Sequence, residues 1–543
     1  MKTVLIIGSG ISGMSCAIAC AEKGMQVTLV SPFPSERAQS VMAAGGINAA
    51  LDSDGAGDSV ECHIADTLAG GCYLAGRDAV TGLCRAAVPI VRQLEGLGTV
   101  FNRNADGKID QRSFGAQSFR RTCYCGASTG KQIVTALVME TRRYEAQGRI
   151  RRRLWTDFHS GLIRDGRCYG ALLYDESTRA LEAVYADAVV MATGGQNALF
   201  GKTTGSTQCD GYAAGRLYQQ GAALKNLEFI QYHPTTLETA QKRMLISEAA
   251  RGEGGRLYYE DGGRRVYFME EQFGPKGNLM PRDVVSRCVD AAGRQVWLDV
   301  SFLGETEIER RIPEVRELCR KYGGIDICTQ SIPVAPSVHF FMGGLAVKLN
   351  HETNIENLYA VGECASIYHG ANRLGGNSLL AAIYSGQVAA ESIAGRNSGA
   401  GADFSEFQRS ESKKLERSFQ SESRFPVMYI RDELAEQMRL RLGIVRTEEK
   451  LREGINDISY YLSIAESIRY DSSVLAYFNY SLPAILTLAR ATLKCAAFRT
   501  ESRGAHWRSD CPGTKEDFAA ATVITWDGGA ETITLDKEGR YEH

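Results

Sequence analysis

The chain has 543 residues, 44% of them hydrophobic and 23% charged, with a formal net charge of −2. That length exceeds what one hydrophobic core can organise and predicts roughly two to four domains. The balanced charge gives nucleic-acid binding no support, and no apolar run approaches the ~18 residues of a membrane span. Fifteen scattered cysteines, odd in number, read as free thiols of a reducing cytoplasm rather than a disulfide framework.

The first predicted elements are the most regular. An apolar run, Val4 to Ile7, meets Gly8-Ser-Gly10-Ile-Ser-Gly13, an Ala-rich segment from Met14 to Glu22, and a second apolar run from Val27 to Val30. This predicts strand, glycine turn, helix and strand, the order of a dinucleotide-binding unit. Gly8 permits the tight turn, Gly10 a close backbone approach to a pyrophosphate, and Gly13 helix-to-sheet packing. The helix then points its positive end at the phosphates. Ser31 stands where a nicotinamide site places an acid on the ribose, which weakens NAD and leaves FAD open. No signal peptide precedes the first strand, consistent with a cytoplasmic protein.

From Pro32 to Leu51 two prolines mark a loop, and Gly45-Gly46 allows backbone to approach a flat or charged group. Leu51 to Tyr144 reads mostly helical. A strand meander spans Gly166 to Ala188 around Asp175-Glu-Ser, ending in the buried strand Ala188-Val-Val-Met191 and Ala192-Thr193-Gly194-Gly195. Residues 236–336 turn charge-rich and read as an inserted domain. Glycine-punctuated α/β pattern returns from Met342 to Ala394, helical spacing runs from Phe404 to about Arg499, and Ala521 to Trp526 lies in a strand-bearing appendage. The expected architecture is α/β: a Rossmann-like FAD-binding domain in two parts (1–235 and 337–400), an inserted α+β capping domain (236–336), a C-terminal helical domain (404–500) and an appendage (501–543).

Four side chains in and around the insertion suit an anion: His233, Arg282, His339 and Arg373. A small dicarboxylate needs a bidentate arginine for one carboxylate, with imidazoles and hydroxyls as further donors. Taken singly, each arginine reads as a surface ion pair and each histidine as a structural one.

Together with their flanks these residues carry a resemblance. The chain resembles the flavoprotein subunits of succinate dehydrogenase and fumarate reductase over almost its whole length. The carrying segments are Gly8-x-Gly10-x-x-Gly13, Arg37 to Gly46, Ala192-Thr-Gly-Gly195, Glu228-Phe-Ile-Gln-Tyr-His-Pro-Thr235, Ser247-Glu-x-x-Arg-Gly-Glu-Gly-Gly255, Pro281-Arg-Asp283, His339-x-x-Met-Gly-Gly344, Gly362-Glu-Cys364 and Gly370-Ala-Asn-Arg373. Arg446-Thr-Glu-Glu-Lys and Glu501 to Arg508 look like the family's C-terminal region. The spacing before Arg37, and Ser247 where many members have Thr, look more like the Bacillus/Wolinella-type branch.

The resemblance implies FAD contacted by Gly8, Gly10, Gly13, Ser31, Gln39, Ser40, Gly45, Gly46, Asp210, Glu363, Asn377, Ser378 and Leu379. It implies a substrate clamped by His233, Ser247, Glu248, His339 and Arg373. Arg282 is then the acid that protonates fumarate, supplied with protons by Glu248 and Arg251. An arginine acid is unexpected, since its pKa above ~12 makes it a fixed cation. Serine at position 31 is common in the family, so it fits an FAD site.

Two positions depart from the family pattern. Gln39 replaces the histidine that most members bond covalently to FAD, and no His, Cys or Tyr lies between Arg37 and Gly46, so non-covalent FAD is expected. Thr236 stands where many members have Gly, a position that varies in the nearer branch. With no second dinucleotide fingerprint, haem motif or cluster-type cysteine run, and with Cys123-Tyr-Cys125 read as incidental rather than a metal site, electrons must come from another protein. By resemblance that is an iron–sulfur subunit, joined to a membrane cytochrome or anchor. L-aspartate oxidase, a relative, and a flavin electron carrier without dicarboxylate chemistry remain alternatives. Arg373-Leu-Gly-Gly and Gly362-Glu-Cys-Ala-Ser resemble the reductase branch instead.

Overall fold

The computed structural model describes residues 1–240, 242–396, 401–419, 425–465, 470–471 and 474–537. At its centre lies a five-stranded parallel sheet in the order Leu358–Ala360, Ala188–Met191, Thr3–Ile7, Gln26–Ser31, Ile150–Leu154. Side chains alternate across a strand, and here both faces are buried. Val4, Ile6, Val27, Leu29 and Val190 enter one core with the helices Ile11–Glu22, Thr129–Ala146 and Asn377–Ala394. Leu5, Ile7, Val30, Val189 and Met191 enter another, shared with a three-stranded meander and the C-terminal helices. Burial on both faces is why the first strand reads as an unbroken apolar run. The helix that follows approaches closely: a Cβ on Gly13 would stand 1.8 Å from the Gly8 carbonyl oxygen.

The stretch expected to be helical from Leu51 to Tyr144 is so only in part. Helices occupy Val60–Gly70, Arg77–Gly96 and Thr129–Ala146. Between the last two, the short strands Gln111–Arg112 and Thr122–Cys123 form a small sheet with Ile47–Asn48. Gly98, Gly107 and Gly126 at positive φ break the helical pattern there. The meander also begins earlier than expected, with Thr156–Arg164 preceding Arg167–Asp175 and Ala180–Tyr185. Thr156 to Leu162 is buried without interruption, so that strand carries no alternation to read.

The insertion forms a six-stranded antiparallel sheet in the order Arg243–Leu245, Ile230–Glu238, Ile332–Phe341, Val296–Asp299, Arg256–Asp261, Arg264–Val266. Helices Arg282–Ala291, Gly304–Arg311 and Pro313–Gly323 help enclose its own apolar core. The strands Ile230–Glu238 and Ile332–Phe341 run unbroken across residues 235/236 and 336/337, pairing Gln231 with Phe340 and His233 with Ser337. Two neighbouring strands are thus the bridge between cap and cofactor domain.

The helices Ser405–Phe419, Val427–Arg441, Glu448–Ile464, Ala476–Tyr480 and Leu482–Phe498 follow. The expected appendage is no appendage. Its hairpin, Ala521–Asp527 and Ala530–Asp536, joins a five-stranded sheet through Leu224–Lys225, with Gly344–Ala346 and Ala365–Ser366 beyond. Buried charges weld the join: Arg499 Nε donates to Glu228 Oε1 at 2.7 Å, its Nη1 to Glu501 Oε1 at 2.8 Å, and Thr522 Oγ1 to Glu228 Oε1 at 2.7 Å. A run of charged residues suggests a solvated surface, and only tertiary pairing puts it inside. The expected boundaries at 400 and 543 lie outside the described residues.

Candidate active site

A cavity of about 570 Å³ opens over the carboxyl ends of the parallel strands and runs under the cap, where open α/β sheets bind ligands. Of the residues expected at FAD, Gly8, Gly10, Ser31, Gln39, Ser40, Gly45, Gly46, Asp210, Glu363, Ser378 and Leu379 line it. Gly13 lies behind, in the helix-to-turn contact described above. Asn377 is also turned away: its Oδ1 accepts from Asn48 Nδ2 at 2.7 Å and faces His63 Nε2 at 2.9 Å, while its Nδ2 donates to Thr67 Oγ1 at 3.0 Å. Its side chain holds Asn48, whose Nδ2 also donates to the Gly375 carbonyl at 2.7 Å.

The wall suits a dinucleotide. Helix Ile11–Glu22 starts at Gly10 with no side-chain cap and no acid in its first turn. Helix Asn377–Ala394 starts at Gly376, φ +86°, in the same way. Apart from the Ile11 N–H, which donates to Ser40 Oγ at 3.3 Å, these two helix N-termini face the cavity uncapped, as suits phosphate and other electron-rich groups. Gln39 Oε1 is buried without a partner among the described residues, an amide acceptor with room for a donor on a ligand. Glu363 takes the Phe341 N–H at 3.1 Å, and burial pushes its carboxyl up to about 7. These residues fit FAD.

At the cap end the chemistry changes from backbone to charged side chains. Arg282 opens the helix Arg282–Ala291 after Pro281, whose fixed φ suits a helix start. Its Nε and Nη2 donate to Glu248 Oε2 at 2.8 and 2.6 Å. Glu248 Oε1 accepts the Gly115 N–H at 2.7 Å and lies 3.6 Å from Arg251 Nη2, behind it. Burial alone would raise the Glu248 carboxyl, but the guanidiniums of Arg282 and Arg251 outweigh it and hold it at about 2. Arg251 is wholly buried, anchored by Nη1 on the Asn278 carbonyl at 2.6 Å, and does not reach the cavity.

Arg373 lies across from Arg282, its guanidinium carbon 4.3 Å from the centre of the Phe340 ring. Burial and the neighbouring Arg282 charge bring its pKa down to about 9. Like charges this close must be held together. Gln231 does so: its Oε1 accepts from Arg282 Nη1 and Arg373 Nη2, each at 3.0 Å. Its Nε2 donates to Asn372 Oδ1 at 2.7 Å and the Arg373 carbonyl at 2.8 Å, and Asn372 Nδ2 donates to Asp283 Oδ1 at 2.8 Å.

His233 and His339, on the two bridging strands, sit with ring centroids 5.3 Å apart. His233 Nδ1 faces the Thr235 backbone, leaving the buried Nε2 without a partner among the described residues. His339 Nδ1 pairs with Thr204 Oγ1 at 2.8 Å. Burial first, and then Arg282, push both imidazoles well below their ordinary pKa, so both are neutral at pH 7. Ser247 completes the wall. Three guanidiniums against one fully ionised carboxylate leave this end positive, as a dianion requires. Gln231, Gly115, Asn372 and Thr204 have no role in the sequence reading. Gln231 lies inside a quoted motif, but an amide among charged residues gives no signal of its own, and Gly115 acts through its backbone.

Comparisons agree with this geometry. A family model described as "FAD binding domain" matches residues 3–379, and one described as "Fumarate reductase flavoprotein C-term" matches residues 431–540. The succinate dehydrogenase flavoprotein subunit of Bacillus subtilis is 36% identical over 96% of this chain and 93% of its own. L-aspartate oxidase of the same organism is 34% identical over 96% of this chain and 94% of its own. A solved E. coli quinol fumarate reductase chain superposes with a TM-score of 0.90 at 30% identity, covering 98% of this chain and 97% of that one. No helix among the described residues is long and apolar enough to cross a membrane. The chain belongs to the flavoprotein subunits of the succinate dehydrogenase and fumarate reductase family, oxidoreductases acting on CH–CH bonds.

Proposed function

We propose that this chain is the catalytic flavoprotein of a fumarate reductase, working on a C4 dicarboxylate with FAD held non-covalently. The observation that carries this reading is the pair Arg282 and Arg373, bridged by Gln231 and faced by two neutral histidines. FAD, when bound, supplies the two-electron hydride chemistry. Arg373 takes one carboxylate of the substrate by bidentate hydrogen bonds. His233, His339 and Ser247 hold the rest as neutral donors and leave the net positive charge to the guanidiniums. Arg282 offers a guanidinium proton to the alkene carbon, and the neutral guanidine left behind takes a proton back from solvent, relayed through Arg251 and through Glu248, which accepts from its Nε and Nη2. A positive, water-poor wall stabilises the negative charge that develops on the substrate.

Gln39 supports the non-covalent reading, because an amide is not a nucleophile that could tether a flavin. A covalent link raises flavin potential in this family, so its loss favours fumarate reduction over succinate oxidation. For a two-electron couple about 30 mV is worth about 1.4 kcal/mol, so a modest drop sets direction. L-aspartate oxidase remains the competing reading by similarity. Against it, an α-ammonium would need a free carboxylate at the clamp, and Glu248 is committed to Arg282 and the Gly115 N–H. An iron–sulfur subunit would deliver electrons, with a membrane partner holding the assembly at the cytoplasmic face.

Reduced viologen plus fumarate tests the reaction. Turnover is expected, whereas oxidation of L-aspartate by oxygen with no fumarate turnover would reverse the assignment. Acid precipitation tests the linkage: yellow supernatant is expected, and flavin that stays with the protein pellet would refute the Gln39 inference.

A further inference from the structure

The clamp does not hold all the positive charge on the cavity wall. The cap's edge strand, Arg243–Leu245, continues into Ile246, whose N–H reaches the Thr235 carbonyl at 3.1 Å, and then into Ser247. Lys242, Arg243, Met244, Leu245 and Ser247 all line the cavity, so this segment forms a row along its wall. Ser247 is the inner end of this row, at the clamp, and Lys242 and Arg243 the outer end.

The outer end is fixed in place. Thr239 closes the hairpin on Lys242, its N–H and Oγ1 donating to the Lys242 carbonyl at 3.0 and 2.7 Å. The Arg243 N–H donates to the Thr203 carbonyl at 3.2 Å, one residue from the Thr204 that holds His339. Its charges do not balance. Glu238, largely exposed, lies 3.0 Å from Arg243 and 3.7 Å from Lys202. Lys242 is partly buried, burial lowers its pKa, and among the described residues it has no carboxylate partner. Drawing a cation into a cavity wall without a counter-ion costs free energy; an anion passing along that wall offsets it.

We propose that Lys242 and Arg243 form an outer anion station that captures a dicarboxylate at the cavity mouth and passes it inward along Leu245 and Ser247 to the Arg282–Arg373 clamp. The proposal rests on the dicarboxylate reading above and adds the route by which the substrate arrives. A positive cleft with low-dielectric walls raises the local concentration of anions, and salt screens the effect. Such a station sets the rate of capture and leaves the chemical step alone.

The FAD-loaded protein tests it, with Lys242→Gln and the double variant Lys242→Gln/Arg243→Gln. Lys276→Gln, an exposed residue, controls for the loss of one charge elsewhere. The reading is kcat/KM for fumarate between about 0.01 and about 0.3 M salt, with malonate binding followed by stopped-flow flavin absorbance. In the double variant kcat/KM at low salt should fall about tenfold with kcat nearly constant, the salt slope should flatten, and malonate association should slow while dissociation holds. Lys276→Gln should keep the wild-type slope. A wild-type slope and association rate in the double variant would overturn the proposal, and so would loss of FAD in their place, which would assign these cations to the cofactor. Wild-type protein that binds malonate but leaves fumarate untouched would refute the assigned reaction and leave the station standing; failure to bind malonate at all would sink both.

Discussion

The two ends of the cavity are built on opposite principles. The sheet end offers backbone: Gly8, Gly10, Gly45, Gly46 and two helix N-termini with no acid in their first turns. The cap end offers side chains: Arg282, Arg373, His233, His339 and Glu248 line it, with Arg251 buried behind Glu248. A backbone site is specified by a short local sequence, because φ and Cβ space are local properties. A side-chain site is specified by topology: Gln231 and Arg373, hydrogen-bonded at 3.0 Å, stand 142 positions apart in sequence. The first kind of site should fail by losing its cofactor, the second by losing turnover.

The largest effect should come from Arg282→Ala. Removal of a positioned acid should cost about 10²- to 10⁴-fold in kcat, with FAD retained on gel filtration. Loss of FAD alongside turnover would break the separation between the two ends. Gly13→Ala probes the other end. Its Cβ would fall 1.8 Å from the Gly8 carbonyl oxygen, and the forced shift should cost about 3 kcal/mol in urea unfolding and release the flavin.

Glu363 sharpens the comparison because it sits in the wall between the ends. Burial raises its carboxyl to about 7 in the folded protein, from an ordinary value of 4.5. The folded state therefore binds the extra proton between those values, and its stability falls as pH rises through them. The apo-protein should lose about 2–3 kcal/mol from this group between pH 4 and pH 8, measured as the difference from Glu363→Gln. An equal pH slope in both proteins would remove that assignment. The smallest expected effect is Asn372→Ala, which deletes the bonds to Gln231 and Asp283. About 1 kcal/mol of looser clamp should raise KM for fumarate about fivefold, with kcat nearly constant.

The same contrast explains what the sequence made legible. Gly8 to Ser31 announced its own strand, turn and helix, and the parallel sheet was built around it. Arg282, Arg373, His233 and His339 were recognisable as a set, because motifs carry residue types even when contacts are remote. Gln231 was not, since an amide acquires its role only when two guanidiniums converge on it. Asn377 was assigned to the cofactor by analogy, yet its side chain is committed to Asn48, His63 and Thr67. Nothing local in Glu501 to Arg508 reveals that Arg508 will be held by Glu448 and Asp510, or that Arg499 before this stretch will be buried against Glu228 and Thr522.

That last pairing has a temporal consequence. Glu228 lies three residues before Gln231, and its side chain is held by Arg499 and Thr522, its carbonyl by Arg446. The strand Leu224–Lys225 waits for Val523 and Ile524, about three hundred positions later. Contacts of such separation form slowly, after much loop entropy has been lost. During synthesis the glycine fingerprint emerges first, but the strand that carries Gln231 and His233 stays without one of its supports until residue 527 has left the ribosome. The sheet end of the cavity has all the residues expected at FAD once Leu379 has emerged, whereas the support of the strand that carries Gln231 and His233 is completed only with the last hairpin.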